Sequence, residues 1–115
     1  MDVTDTELHD TIHHIALSKL IDGYADVVTR RAWDELHDLF APACSVHIDT
    51  VTAEPRTLVG PEAVGTFIAG AVERFTFFEF VVLNRRIELR IDGDADRATA
   101  RIFMCELRQD STTGR

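Results

Sequence analysis

Apolar residues in the first quarter of the chain fall at Leu8, Ile12, Ile15, Leu20, Tyr24, Val27 and Val28, three or four apart for most of their length. That spacing predicts one long amphipathic helix ending near Arg30 or Arg31. Thr4 or Thr6 can cap it, and Thr4-x-x-Glu7 has the capping-box spacing, with Asp5 near the positive end of the helix dipole. Trp33 to Phe40 predicts a second helix with Trp33, Leu36, Leu39 and Phe40 facing inward, stopped by Ala41-Pro42. Alternation then begins. Cys44 to Val51 places Cys44, Val46 and Ile48 on one side and Ser45, His47 and Asp49 on the other, which predicts a half-buried strand. Thr52 to Arg56 reads as a turn and Thr57 to Val59 as a return strand. Gly60-Pro61-Glu62 opens a third helix with proline in its first turn and apolar positions at Val64, Phe67, Ile68, Ala71 and Val72.

Phe75 to Ile91 predicts a long strand whose parity changes. Phe78, Phe80 and Val82 are apolar at even positions, but Ile87, Leu89 and Ile91 at odd ones. One face can hold both sets only if an extra residue intervenes, so a bulge or bend is expected near Asn84-Arg85-Arg86. Asp92-Gly93-Asp94 marks a hairpin turn. The last strand is expected from about Asp96 to Leu107, with Ala98, Ala100, Ile102 and Met104 on its apolar side and Glu106 in line with them. The tail, QDSTTGR, reads as polar and turn-like.

Composition narrows the picture. At 115 residues and 12.9 kDa, the chain is expected to form one domain over residues 1–115, with a single core. Its formal charge of −8 argues against nucleic acid or an anionic membrane as a partner. No apolar run reaches the ~20 residues of a membrane span. The acidic start is no secretory signal, and Cys44 and Cys105 have no metal-type spacing. Both read as reduced thiols, so a cytoplasmic location is expected.

Candidate chemistry is sparse. Tyr24 is the only tyrosine, and a phenol on an apolar face is either a satisfied core residue or the polar handle of a pocket. Glu106, if turned into an apolar hollow, is a candidate general base. His9 and His13 lie one turn apart but lack an evident third ligand, so no metal is expected. Asp22, Asp26 and Arg30 read as an exposed charge ladder. His47 and Asp49 sit on the polar side of the first strand. Arg85 and Arg86 could clamp an anion or pair with Glu79 or Glu88. There is no glycine-rich phosphate loop, and Ser18, Ser45 and Ser111 sit in no nucleophile elbow.

Element order and short motifs together resemble a known family. Tyr24-Ala25, Arg30-Arg31-Ala32-Trp33, Leu39-Phe40-Ala41-Pro42, Leu58 to Val64, and Asn84 before Ile87-Glu88-Leu89 look like the SnoaL-like branch of the nuclear transport factor 2-like superfamily. This resemblance implies an α+β fold in which a cone-shaped, curved, mostly antiparallel sheet wraps around a long N-terminal helix with two shorter helices. It implies a deep apolar hollow, lined here by Val28, Thr29, Phe40, Ile48, Phe67, Phe80, Val82 and Met104. Tyr24 matches a pocket tyrosine that in several relatives hydrogen-bonds a substrate oxygen. Relatives include ketosteroid isomerase, scytalone dehydratase, polyketide cyclases and many proteins without known activity, and the activity the resemblance implies is cofactor-independent, so no cofactor is expected.

The departures are specific. Dehydratase-type relatives carry an aspartate where this chain has Thr29 and a histidine where it has Phe80. Isomerase-type relatives carry their base near Ile48. Thr, Phe and Ile cannot abstract a proton. Relatives also add strands beyond the point matching Arg115, so a sheet lacking its last strands is expected. The resemblance implies a small hydrophobic ligand and a homodimer formed through the outer sheet face, near Phe103 and Val81 or Leu83. Two functions stay open: an isomerase, dehydratase or cyclase using Tyr24 and Glu106, or a ligand-binding or assembly domain without chemistry.

Overall fold

A computed structural model describes residues 2–110. Helix α1 runs over Asp5–Arg30, and the Thr4 hydroxyl caps it by accepting the Glu7 N–H at 3.1 Å. Its other end turns on Arg31, which is left-handed at φ 59° and takes the place glycine usually holds. The Arg31 N–H reaches the Val28 carbonyl at 3.1 Å, and the Ala32 N–H reaches that of Val27 at 2.9 Å. A non-glycine residue there costs on the order of 1 kcal/mol. The side chain explains why arginine is tolerated: Nη2 donates to the carbonyls of Val72, at 3.1 Å, and Phe75, at 2.6 Å.

The expected second helix is a 3₁₀ helix over Trp33–Asp38, ending before Phe40. Strands β1 (Ser45–Ile48) and β2 (Arg56–Val59) form a short antiparallel hairpin with Ser45 opposite Val59. β1 stops at Ile48 instead of reaching Val51. The Asp49 carboxylate accepts the Val51 N–H at 2.9 Å, and Val51 turns to φ 68° with 90% of its surface exposed. That local turn outcompetes the ladder. Gly60 is required where β2 meets helix α2 (Pro61–Val72): at φ 85°, a Cβ would lie 2.9 Å from the Pro42 carbonyl.

Strands β3 (Phe75–Leu89) and β4 (Ala98–Asp110) make a long antiparallel hairpin. Its register shifts between Val82 and Asn84, leaving Leu83 as the extra residue. The expected parity change is therefore real and falls just before Asn84. Phe78, Phe80 and Val82 share a face with Arg85, Ile87 and Leu89, opposite Arg108, Glu106, Met104, Ile102, Ala100 and Ala98 in turn. The connection is a 3₁₀ turn, Ile91–Gly93, so β3 ends earlier than expected. β4 extends later than expected, through Gln109 and Asp110, and the remaining tail residues lie outside the described ones.

The architecture is thus α+β, with antiparallel strands beside a long N-terminal helix, consistent with the cone fold. Among the described residues the strands form two separate hairpins rather than one continuous sheet. The long hairpin is tied to α1 at three levels. The Thr29 hydroxyl accepts the Phe80 N–H at 2.9 Å, Asp22 pairs with Arg85, and Asp10 takes Arg90 Nη2 at 3.0 Å. Asp22 therefore leaves the expected ladder, of which the Asp26–Arg30 rung remains at 2.9 Å. Arg85 likewise pairs with neither Glu79 nor Glu88, while Arg86 does meet Glu88 at 3.2 Å.

Two small cores meet on α1. Val28 packs with Val72, Phe75 and Phe78, while Val27 packs with Leu36 and Val64. Tyr24, Trp33 and Ile68 touch both. The single apolar stripe expected along the helix is divided in two. Leu8, Ile12 and Ile15 are 51–53% exposed. The five-residue step from Ile15 to Leu20 rotates the later residues onto another face, at about 100° per residue. With a radius of gyration of 16.8 Å, against about 13 Å for a compact chain of this length, the molecule is elongated and leaves such faces open.

Replacing Thr29 by valine removes the acceptor for the partly buried Phe80 N–H without changing side-chain volume much. A loss of about 1–3 kcal/mol is expected in denaturant unfolding, and an unchanged midpoint would contradict the structural role given to this hydroxyl.

Candidate functional site

The site begins with the last turns of α1, which put Tyr24 one turn before Val27 and Val28. Burial of the valines fixes the helix, and the helix aims the phenol between two aromatic rings. Phe40, after the 3₁₀ helix, meets Tyr24 edge-on with centroids 5.9 Å apart at 74°. Phe80, from β3, does the same at 5.4 Å and 88°. Such edge contacts hold a ring in place while leaving its polar tip free to point elsewhere.

No hydrogen bond joins the Tyr24 hydroxyl to another described residue, yet the oxygen is not sealed inside the protein. The phenol's pKa is raised above 10.0, first by burial and then by the negative charge of Glu106. Both effects disfavour phenolate, so at neutral pH the group is a neutral O–H with a proton to give.

The expected site residues divide into those gathered around this ring and those elsewhere. Val28 lies in the core beneath it, and Thr29 is spent on the Phe80 N–H. Glu106 stands directly across the ladder from Phe80, and Val82 pairs with Met104 on the next rung of the same face. Glu106 is exposed, rather than enclosed beyond Ile102 and Met104, because β4 pairs only with β3 among the described residues. Ile48 pairs with Arg56 at the end of β1. Phe67 lies under the Arg56 guanidinium, 5.0 Å from its ring centre, in a separate open groove with Leu58 and Glu62. Tyr24 lines neither that groove nor those at Arg31 to Glu35 and along the first half of α1.

Sequence reasoning missed the two ion pairs that seat the hairpin. One signal was present: Asp10 lies 14 residues before Tyr24, and at about 100° per residue the two share a helix face. An acid on a packed face needs a cation, and Arg90 supplies it. Its hydrogen bond pulls the Asp10 carboxyl below its ordinary pKa against some desolvation, with smaller help from His13 and His14. Arg31 carried no signal, because a left-handed arginine cannot be told from a helical one by pattern.

Among the described residues, no three His, Cys, Asp or Glu side chains converge to hold a metal, and no helix is long and apolar enough to cross a membrane. No curated protein and no solved structure matches the chain. A family model described as a SnoaL-like domain matches residues 10–115, all but the first nine residues of the chain. The chain therefore belongs to the SnoaL-like family, within the nuclear transport factor 2-like superfamily.

Proposed function

We propose that this protein binds a small hydrophobic carbonyl compound, with Tyr24 as the donor to the carbonyl oxygen. The observation that carries this reading is the unpartnered phenol. Its ring is held by Phe40 and Phe80, its hydroxyl has no partner among the described residues, and its proton is retained by burial and by Glu106. A neutral donor in partly apolar surroundings suits a ligand oxygen, and its hydrogen bond strengthens as negative charge develops there. The apolar residues beside it, Phe80, Val82 and Met104, suit a ligand with little polarity.

A second step, proton transfer in an isomerase, dehydratase or cyclase reaction, rests on Glu106. Its charge is felt by Tyr24, so the two groups share one locality. An enolisation there would move a proton from the carbon next to the carbonyl onto the Glu106 carboxylate, while Tyr24 stabilises the enolate oxygen. Thr29 is committed to the backbone, and Phe80 and Ile48 have no basic atom. Glu106 is thus the carboxylate available near the phenol, and binding without chemistry is the alternative if it does not act.

We also infer a homodimer through the outer face of the β3–β4 hairpin. Phe77, Leu83, Phe103 and Leu107 are 50–62% exposed there, with Val81 opposite Cys105 between them. A cluster of large apolar side chains on one face favours association.

The ligand test is a thermal-shift screen with enone steroids and aromatic polyketide-like ketones. A stabilising ligand should bind Tyr24→Phe about five- to tenfold more weakly, and equal binding would remove the hydroxyl from the site. With such a ligand, Glu106→Gln should keep binding and lose turnover if Glu106 is the base. Turnover that persists at the same rate would exclude it. For the dimer, sedimentation should give twice 12.9 kDa for the wild type and 12.9 kDa for Phe103→Glu. A wild-type protein that is monomeric at high concentration would overturn the interface.

A further inference from the structure

A concave feature also lies away from Tyr24. It is a half-enclosed groove of about 630 Å³, within the range of small-molecule sites, between the first half of α1 and the turn joining β3 to β4. Its apolar lining comes from Ala16 and Leu17 of α1 and from Leu89 and Ala98 at the ends of β3 and β4. Its polar lining includes His9 and His13 from one turn of α1 and Arg97 from the segment before β4.

The charges do not simply cancel pair by pair. Arg90 is committed to Asp10 through both guanidinium nitrogens, so neither charge is free for a ligand. Arg97 has no ion pair with another described residue, and Asp96 beside it is the remaining acid of the lining. The turn that carries Arg97 is pinned by its own backbone. The Ile91 N–H reaches the Arg97 carbonyl at 3.2 Å, and the Arg97 N–H reaches the Asp94 carbonyl at 3.2 Å. Histidine offers a ring N–H in either protonation state, so the helix side of the groove supplies donors as well.

We propose that this groove binds a short-chain monocarboxylate, with its oxygens met by Arg97, His9 and His13 and its hydrocarbon chain laid on Leu17 and Leu89. One unpaired guanidinium suits a single negative charge, and Asp96 in the lining opposes a dianion such as a phosphate monoester. The apolar lining, Leu17 and Leu89 with Ala16 and Ala98, separates this site from a bare surface charge, because it gives the chain of the acid somewhere to go. It lies at the other end of α1 from Tyr24 and shares no residue with that site, so its success or failure is independent of the carbonyl-binding reading.

The probe is hexanoate, titrated at neutral pH into the full chain labelled with ¹⁵N, with hexanol and hexyl phosphate as controls. Hexanoate should shift amides of residues 6–17 and 89–98 together and saturate, while hexanol and hexyl phosphate bind more weakly. Arg97→Gln should weaken hexanoate about tenfold, Asp96→Asn should strengthen it, and Tyr24→Phe should leave it unchanged. Arg101→Gln, an exposed arginine on the outer hairpin face, should also change nothing. Shifts scattered over the surface, hexanol binding as well as hexanoate, or indifference to Arg97→Gln would each overturn the proposal.

Discussion

Two neighbouring valines bind the molecule together. Successive helix residues point about 100° apart, so Val27 and Val28 face different neighbours. Val28 enters the cluster built by the end of α2 and the start of β3, and Val27 enters the one built by the 3₁₀ helix and the front of α2. Neither cluster is large, so each depends on the other through the rigid helix between them. Arg31 reinforces the joint from the side. Its strained backbone ends α1, and its guanidinium fastens the carbonyls where α2 gives way to β3. Buried carbonyls need donors, and one arginine serves two.

The chemistry of the chain follows from that joint. Tyr24 lies one turn upstream of the valines and touches both clusters, so it sits at the seam where packing is interrupted by its hydroxyl. Phe40 and Phe80 bring apolar edges to its ring without bringing a hydrogen-bond acceptor. Thr29 is a structural residue whose hydroxyl holds the hairpin on the helix.

Much of the fold was legible because it obeys short periods. The Thr4 cap, the Gly60-Pro61 helix start and the parity change in β3 are local consequences of backbone geometry, and each is written in two to four residues. Other features escaped because they depend on partners distant in sequence. Arg85 reaches Asp22 and Arg90 reaches Asp10 across the helix–hairpin contact, which no local pattern encodes. Val51 misled because its β-branched side chain suits a strand, while the preceding aspartate captured its N–H for a turn. The candidate site was half legible. A lone tyrosine on an apolar face could be singled out, but the exposure of Glu106 depends on what covers β4, and that is a tertiary fact.

Because Tyr24 is the chain's only tyrosine, its ionisation can be followed directly by ultraviolet absorbance in the intact protein. The phenol should titrate above 10.0. Glu106→Gln should lower that value only part of the way, since burial outweighs the carboxylate's charge. A wild-type midpoint at or below 10.0 would mean a hydroxyl standing in open water or beside a cation, and the site built around it would not exist.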